Sequence, residues 1–117
     1  MKFLVVDDEA LIRKALCRAL VSRKHIVDQA DQGQEGLNLW LANDYDLVFL
    51  DLVMPDLSGL EVLKRRGSYS SKLIIMSAFS DEDQKIIESY RPSAFLKKPF
   101  ENIFEVVVFA EEIARKK

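Results

Sequence analysis

Four short stretches carry residues able to do chemistry together: Asp7-Asp8-Glu9, Asp51, Ser77 and Lys98. Each lies at the end of an apolar run. Lys2 to Val6 leads into the acidic trio and Leu47 to Leu50 into Asp51. Leu73 to Met76 leads into Ser77, and Ser93 to Leu96 lies just ahead of Lys98. Short apolar runs bounded by turn signals such as Pro55 and Gly59 read as buried strands. Open α/β sheets place their ligands at the carboxyl ends of such strands. Three carboxylates brought to one edge repel one another, and at least one pKa rises unless a cation intervenes. Mg²⁺ suits that role, because it binds through a few carboxylates and keeps waters that a phosphate can replace. Lys98 can neutralise a phosphoryl oxygen as a point charge, and the Ser77 hydroxyl can donate to another. The expected chemistry is phosphoryl transfer with Asp51 as nucleophile.

Those residues need elements to position them. Strands are expected over 2–6, 25–30, 46–50, 72–77 and 93–96, with helices over 10–22, 33–43, 58–66, 81–90 and 100–117. The first helix carries an apolar stripe at Ile12, Ala15, Leu16, Ala19 and Leu20, with Arg13, Lys14 and Arg18 facing away. The second turns Leu37, Trp40 and Leu41 inward, and the third Leu60 and Leu63. The fourth has acidic residues in its first turn to complement the helix dipole, and Pro92 stops it. The last is apolar on several sides. Ile103, Val106, Val107, Ala110 and Ala114 form one stripe, while Phe104, Val108 and Phe109 flank it. That pattern fits either wide burial or a partner surface. Strands alternating with helices predict a single α/β domain over 1–117, a doubly wound parallel sheet with right-handed crossovers.

Composition agrees. The chain has 117 residues, 49% hydrophobic and 31% charged, with a net charge of −2, ordinary for one globular domain and unlike a nucleic-acid-binding or membrane surface. Cys17 is the only cysteine, which rules out an internal disulfide and a cysteine-based zinc site. No apolar stretch approaches the roughly 20 residues of a membrane span. The first residues turn acidic too soon for a signal peptide, so a cytoplasmic location is expected.

Four motifs, in order, are Asp7-Asp8-Glu9; Asp51-Leu52-Val53-Met54-Pro55-Asp56-Leu57-Ser58-Gly59; Met76-Ser77-Ala78; and Phe95-Leu96-Lys97-Lys98-Pro99-Phe100. Together they resemble the receiver domain of two-component response regulators across essentially the whole chain. The resemblance implies a flavodoxin-like (βα)5 fold with strand order 2-1-3-4-5. It implies that Asp51 accepts a phosphoryl group from a histidine kinase or histidine phosphotransfer protein. Asp8 and Asp51 would bind Mg²⁺, with Asp7 helping through water and the backbone carbonyl of Val53 completing the set. Lys98 would pair with the phosphoryl group ahead of a cis peptide bond to Pro99. Ser77 would swing toward the phosphate, and Phe95 would change rotamer with it. The face formed by the fourth helix, fifth strand and fifth helix would then change for a downstream effector or a second copy. Beyond catalysing its own phosphoryl transfer and slow self-dephosphorylation, such a domain is not an enzyme.

Four departures from the family pattern carry expectations. Arg91-Pro92-Ser93-Ala94 replaces the usual Gly-Ala before Phe95, so the turn there would differ. The stretch from Gly59 to Ser77 is about two residues short, which predicts a truncated third helix. Val53 and Phe79, flanking the phosphate position, are both apolar and cannot orient an attacking water, so phosphoryl loss should be slow. The switch residue is Phe95 rather than tyrosine, without a hydroxyl.

Plainer roles compete with these. Asp7 and Asp8 could be a solvated cap, Ser77 a structural hydroxyl and Phe95 plain core. Lys97 competes with Lys98, although adjacency to Pro99 favours Lys98. Cys17 and His25 read as inert, Trp40 as sheet packing, and Asp56 as a turn residue. Two other classes remain as alternatives: a pseudo-receiver serving as a phosphorylation-independent interaction module, and an aspartate-nucleophile phosphohydrolase. The latter expects a second aspartate two residues after the first, where this chain has Val53.

Overall fold

In a computed structural model, which describes residues 1–78, 85 and 87–116, the strands alternate their side chains between two cores. Phe3, Val5, Leu47, Phe49, Ile74 and Met76 point to one face of the sheet. Leu4, Val6, Val48, Leu50, Leu73 and Ile75 point to the other. Both faces are apolar because both are covered, as in sheets built from parallel crossovers. The strands are β1 (Lys2–Val6), β2 (Ile26–Ala30), β3 (Leu47–Asp51), β4 (Lys72–Ser77) and β5 (Ala94–Lys97). They are all parallel and lie in the order β2-β1-β3-β4-β5. This is the expected flavodoxin-like arrangement.

The described helices divide between the two faces. Helix α1 (Ala10–Ser22) and the last helix, α4 (Ile103–Arg115), cover the first core through Leu16, Cys17, Leu20, Val107, Ala110 and Ile113. Helices α2 (Gly33–Ala42) and α3 (Gly59–Arg66) cover the second through Leu37, Trp40, Val62 and Leu63. Lys85, Ile87 and Glu88 are helical between β4 and β5, and Ile87 joins the second core. The rest of the helix expected over 81–90 falls largely outside the described residues, as do Phe79 and Lys117.

Helix α3 spans eight residues, short as expected. Ser58 Oγ accepts from Glu61 N at 3.2 Å to start it, and Gly67, at a φ of 68°, ends it. At α4, Asn102 accepts from Glu105 N at 3.2 Å, so the helix begins three residues later than the sequence pattern suggests. One inward and one outward assignment change. Leu41 is 55% exposed, because α2 turns Gly33, Gly36, Leu37 and Trp40 to the core instead. Arg13 is half-buried and donates to Asp7 O at 3.0 Å and to Gln29 Oε1 at 3.0 Å.

The amino edge of the sheet holds a charge that the apolar pattern of α4 hides. Glu111 is 2% exposed. Arg23 Nη2 lies 2.7 Å from its Oε1, and His25 Nε2 lies 2.5 Å from its Oε2. His25, expected to be inert, thus ties the start of β2 to α4 and packs edge-on against Phe3. Cys17 is buried, and that burial pushes its thiol up to about 11, despite nearby Arg13, so it stays protonated.

Hydrogen bonding from Arg23, then from His25, holds the Glu111 carboxyl down at about 2 against the opposing effect of burial. A depressed carboxylate stabilises the fold above its unfolded pKa and loses that contribution as pH falls toward the folded value. Glu111→Ala is expected to lower the unfolding free energy at pH 7 by about 3 kcal/mol in urea titrations. The gap to the wild type should narrow as pH falls below about 4.5.

Candidate functional site

Strand register brings the four stretches together. Val6 pairs with Leu50, so the next residues, Asp7 and Asp51, come level on adjacent strands. Asp51 pairs with Met76, one residue short of Ser77, and Ser77 pairs with Lys97, one residue short of Lys98. Lys98 N then donates to Ser77 O at 3.2 Å, and Asp7 N to Ala30 O at 3.1 Å, which extends the ladder past the strand ends. Among the described residues five polar or charged ones are buried. Four of them, Asp7, Asp51, Ser77 and Lys98, meet here, and the fifth is Glu111. Asp8, by contrast, is exposed.

Lys98 is the hub. Its ammonium lies 2.8 Å from Asp7 Oδ2, 2.8 Å from Glu9 Oε1 and 3.1 Å from Asp51 Oδ2. Burial opposes its charge, but the Asp7 and Glu9 carboxylates beside it more than offset that and raise its pKa. Asp7 Oδ1 accepts from Glu9 N at 2.9 Å, and Asp51 Oδ1 accepts from Val53 N at 3.3 Å. Asp7 Oδ2 is fully buried with no donor aligned on it, the Lys98 contact being an ion pair only. Asp7, Asp8 and Asp51 each offer a carboxylate oxygen within 4.8 Å of the others. Such a set of hard oxygens, one of them short of a donor, fits a small divalent cation. The cleft above it, of about 330 Å³, is lined by Asp8, Glu9, Asp51, Val53, Ser77 and Lys98 among others.

The loop after Asp51 is clamped on both sides. Gly59 N donates to Leu52 O at 2.9 Å. A Cβ on Gly59 would come 2.4 Å from Asp51 O, so only glycine lets α3 start this close to the site. Asp56 is more than a turn residue. Its two carboxylate oxygens accept from Gly33 N at 2.9 Å and Gln34 N at 3.0 Å, capping α2, whose own N-cap Gln32 makes no side-chain cap bond. Those amides, Gln34 first, hold its carboxyl below the usual range.

Of the other expected site residues, Val53 is 70% exposed at the mouth of the cleft. Phe95 is half-buried on β5, paired with Ile75 and packed against the second core. The peptide between Lys98 and Pro99 is cis. Lys97, the competitor of Lys98, is exposed. Trp40 donates to Ser71 Oγ at 3.2 Å, outside the set of residues lining the cleft. Sequence reasoning did not assign Glu9 a contact of its own or foresee Asp56 as a cap. Glu9 is the third member of the opening acidic trio, and that position was the available signal.

A family model described as the response regulator receiver domain matches residues 3–106. The chain belongs to the response regulator receiver domains, signalling domains of two-component systems. It is 38% identical over 100 residues to the response regulator ArlR of Staphylococcus haemolyticus, covering 84% of this chain and 46% of that protein. It is 33% identical over 117 residues to the transcriptional regulatory protein ResD of Bacillus subtilis, covering 98% of this chain and 48% of that protein. This receiver therefore spans about half the length of the curated relatives it matches. Among solved structures, the Francisella response regulator 1452 receiver domain superposes with a TM-score of 0.86 at 29% identity, over 97% of this chain and 96% of that one. The response regulator TrrA of Thermotoga maritima, in complex with Mg²⁺-BeF, superposes with a TM-score of 0.79 at 33% identity, over 96% of this chain and 97% of that one. No described helix of this receiver is long and apolar enough to cross a membrane.

The receiver site is strained electrostatically. Burial, then the Asp7 charge, pushes the Asp51 carboxyl up to about 6, with Lys98 and Val53 N pulling it back. A raised carboxyl stabilises the fold only below its unfolded pKa and loses that contribution as pH rises through the folded value. Without divalent metal, Asp51→Asn is therefore expected to be more stable than the wild type at pH 7.5, by roughly 2 kcal/mol. That advantage should vanish as pH falls from about 6 toward 4 in denaturant titrations.

Proposed function

We propose that this receiver is a phosphorylation-dependent switch in which Asp51 takes a phosphoryl group from a phosphohistidine of a histidine kinase or phosphotransfer protein. The observation that carries the reading is the Asp51 carboxylate, 3% exposed, at the base of an open cleft and 3.1 Å from the Lys98 ammonium. A carboxylate oxygen of Asp51 attacks phosphorus, the P–N bond of a phosphohistidine protonated on its other ring nitrogen breaks, and the imidazole leaves neutral with that proton and the P–N electron pair. Lys98 balances charge on the transferred group, and the Ser77 hydroxyl donates to one of its oxygens. Asp7, Asp8, Asp51 and the Val53 carbonyl would hold Mg²⁺, which supplies charge neutralisation on the phosphoryl oxygens.

The same residues link chemistry to a surface. Ser77 ends β4, and Phe95 lies on the neighbouring β5. Movement of Ser77 toward the phosphoryl group would free Phe95 to repack, altering the face built from β5, α4 and the segment between β4 and β5. That face would meet a downstream effector or a second copy, a local charge change read by an element with two arrangements.

Intact mass after incubation with acetyl phosphate tests the chemistry. One phosphoryl should be gained with Mg²⁺, none without it, and none in Asp51→Asn. A folded protein that gains nothing from acetyl phosphate or from a phosphorylated kinase would be a pseudo-receiver. The phosphoryl group should also be long-lived, with a half-life of minutes or more, because neither Val53 nor Phe79 carries a group that orients water. Decay within seconds in a time course would refute that.

A further inference from the structure

We propose that Glu9 is a positioning residue that occupies Lys98 in the resting receiver and yields it to the incoming phosphoryl group. The inference rests on Asp51 as phosphoacceptor and concerns how Lys98 becomes available to it. An ammonium has three donors. Around Lys98 three carboxylates from three different elements stand within 3.1 Å, two of them accepting its hydrogen bonds, so a fourth anion can approach closely only by displacing one of them. A phosphoryl group on Asp51 can reach Lys98 only if one of the three lets go.

The three differ in what release would cost. Asp7 is 0% exposed, and its Oδ1 is fixed by the Glu9 amide. Asp51 carries the phosphoryl group itself. Glu9 has a side chain 56% exposed, on a stem long enough to swing into solvent, where an ion pair is weak. Among the described residues its carboxylate makes no other hydrogen bond or ion pair. As the residue preceding α1 it makes no side-chain cap bond, and it stands outside the group of Asp7, Asp8 and Asp51 whose carboxylate oxygens lie within 4.8 Å of one another. Glu9 therefore stands where a phosphoryl oxygen would later pair, holding Lys98 in register and competing with the donor for it.

The test is donor saturation in Glu9→Gln and Glu9→Asp. Initial phosphorylation rates with acetyl phosphate and Mg²⁺ would be followed by intact mass, and Mg²⁺ binding to the unphosphorylated proteins by calorimetry. Glu9→Gln should lower the half-saturating acetyl phosphate concentration about 3- to 10-fold, with the maximal rate and the Mg²⁺ affinity within about twofold of wild type. Glu9→Asp keeps the charge but is one methylene too short to hold Lys98, and should shift the same way. An unchanged half-saturation in Glu9→Gln overturns the proposal. So does a shift in Glu9→Gln alone, which would make the effect one of general field, or a tenfold loss of Mg²⁺ affinity, which would make Glu9 a ligand. If the folded wild type takes up no phosphoryl group under conditions where a known receiver does, the reading of Asp51 fails and this inference falls with it. A phosphorylated wild type with unresponsive variants overturns the inference alone.

Discussion

A single ammonium makes the carboxyl edge of this sheet possible. Asp7 and Asp51 are almost wholly buried and lie level on neighbouring strands. Two carboxylates placed so close in a poorly solvated site cannot both stay ionised without a cation. Lys98 is that cation, and it reaches them because β5 runs beside β4 far enough to deliver the residue just past its end. The rest of the architecture serves this meeting. Parallel strands with both faces covered bring their carboxyl ends to one edge, and the two apolar cores fix the register that sets Asp7 beside Asp51. A slip of one residue in β3 would turn Asp51 to the other face and exchange the two cores.

The loop after β3 is held by specific contacts. After β3 the chain must turn tightly enough for Gly59 to donate to Leu52 O, and that closeness leaves no room for a Cβ. Asp56, on the same turn, reaches across to cap α2. The segment that follows Asp51 is thereby pinned both to its own next helix and to the preceding one. At the opposite edge of the sheet a second buried charge, Glu111, fastens α4 to the start of β2 through Arg23 and His25. The two ionic centres differ in character. Glu111 is matched by Arg23 and His25 and serves to hold the fold together. The Lys98 centre has more carboxylates than cations, which suits the metal and the phosphoryl group proposed to bind there.

Much of this was legible in the sequence, and the limits have physical causes. The strands were readable because their apolar runs are bounded by acidic residues, glycine or proline. The order of the strands was not, since pairing between β1 and β3 depends on contacts far apart in the chain, and the order came from the family resemblance. Asp7, Asp8, Asp51, Ser77 and Lys98 stood out because each sits at a strand end. Glu111 did not, because a glutamate in a helix is usually solvated and nothing near it in sequence announces Arg23 or His25. Leu41 looked like core by spacing, yet α2 is rotated so that two glycines face inward. That orientation is set by the close approach of α2 to β1 and to the loop at Leu57. Asp56 looked like a turn because its partners, Gly33 and Gln34, lie more than twenty residues away.

The same imbalance links stability to function. Burial and the charge of Asp7 raise the Asp51 carboxyl to about 6, while hydrogen bonds hold Lys98 protonated. At neutral pH Asp51 is therefore mostly ionised although its surroundings disfavour the charge, and the folded state carries that cost. Anything that brings positive charge to the edge relieves it, and anything that moves Lys98 aggravates it. On the proposed reading, a buried carboxylate kept ionised at neutral pH but poorly neutralised would be reactive toward an electrophilic phosphorus, and it is also a local weakness in the fold. The surrounding clamps at Gly59 and Asp56 make the two compatible. They fix the loop that follows Asp51 to α2 and α3, beside the unbalanced charge.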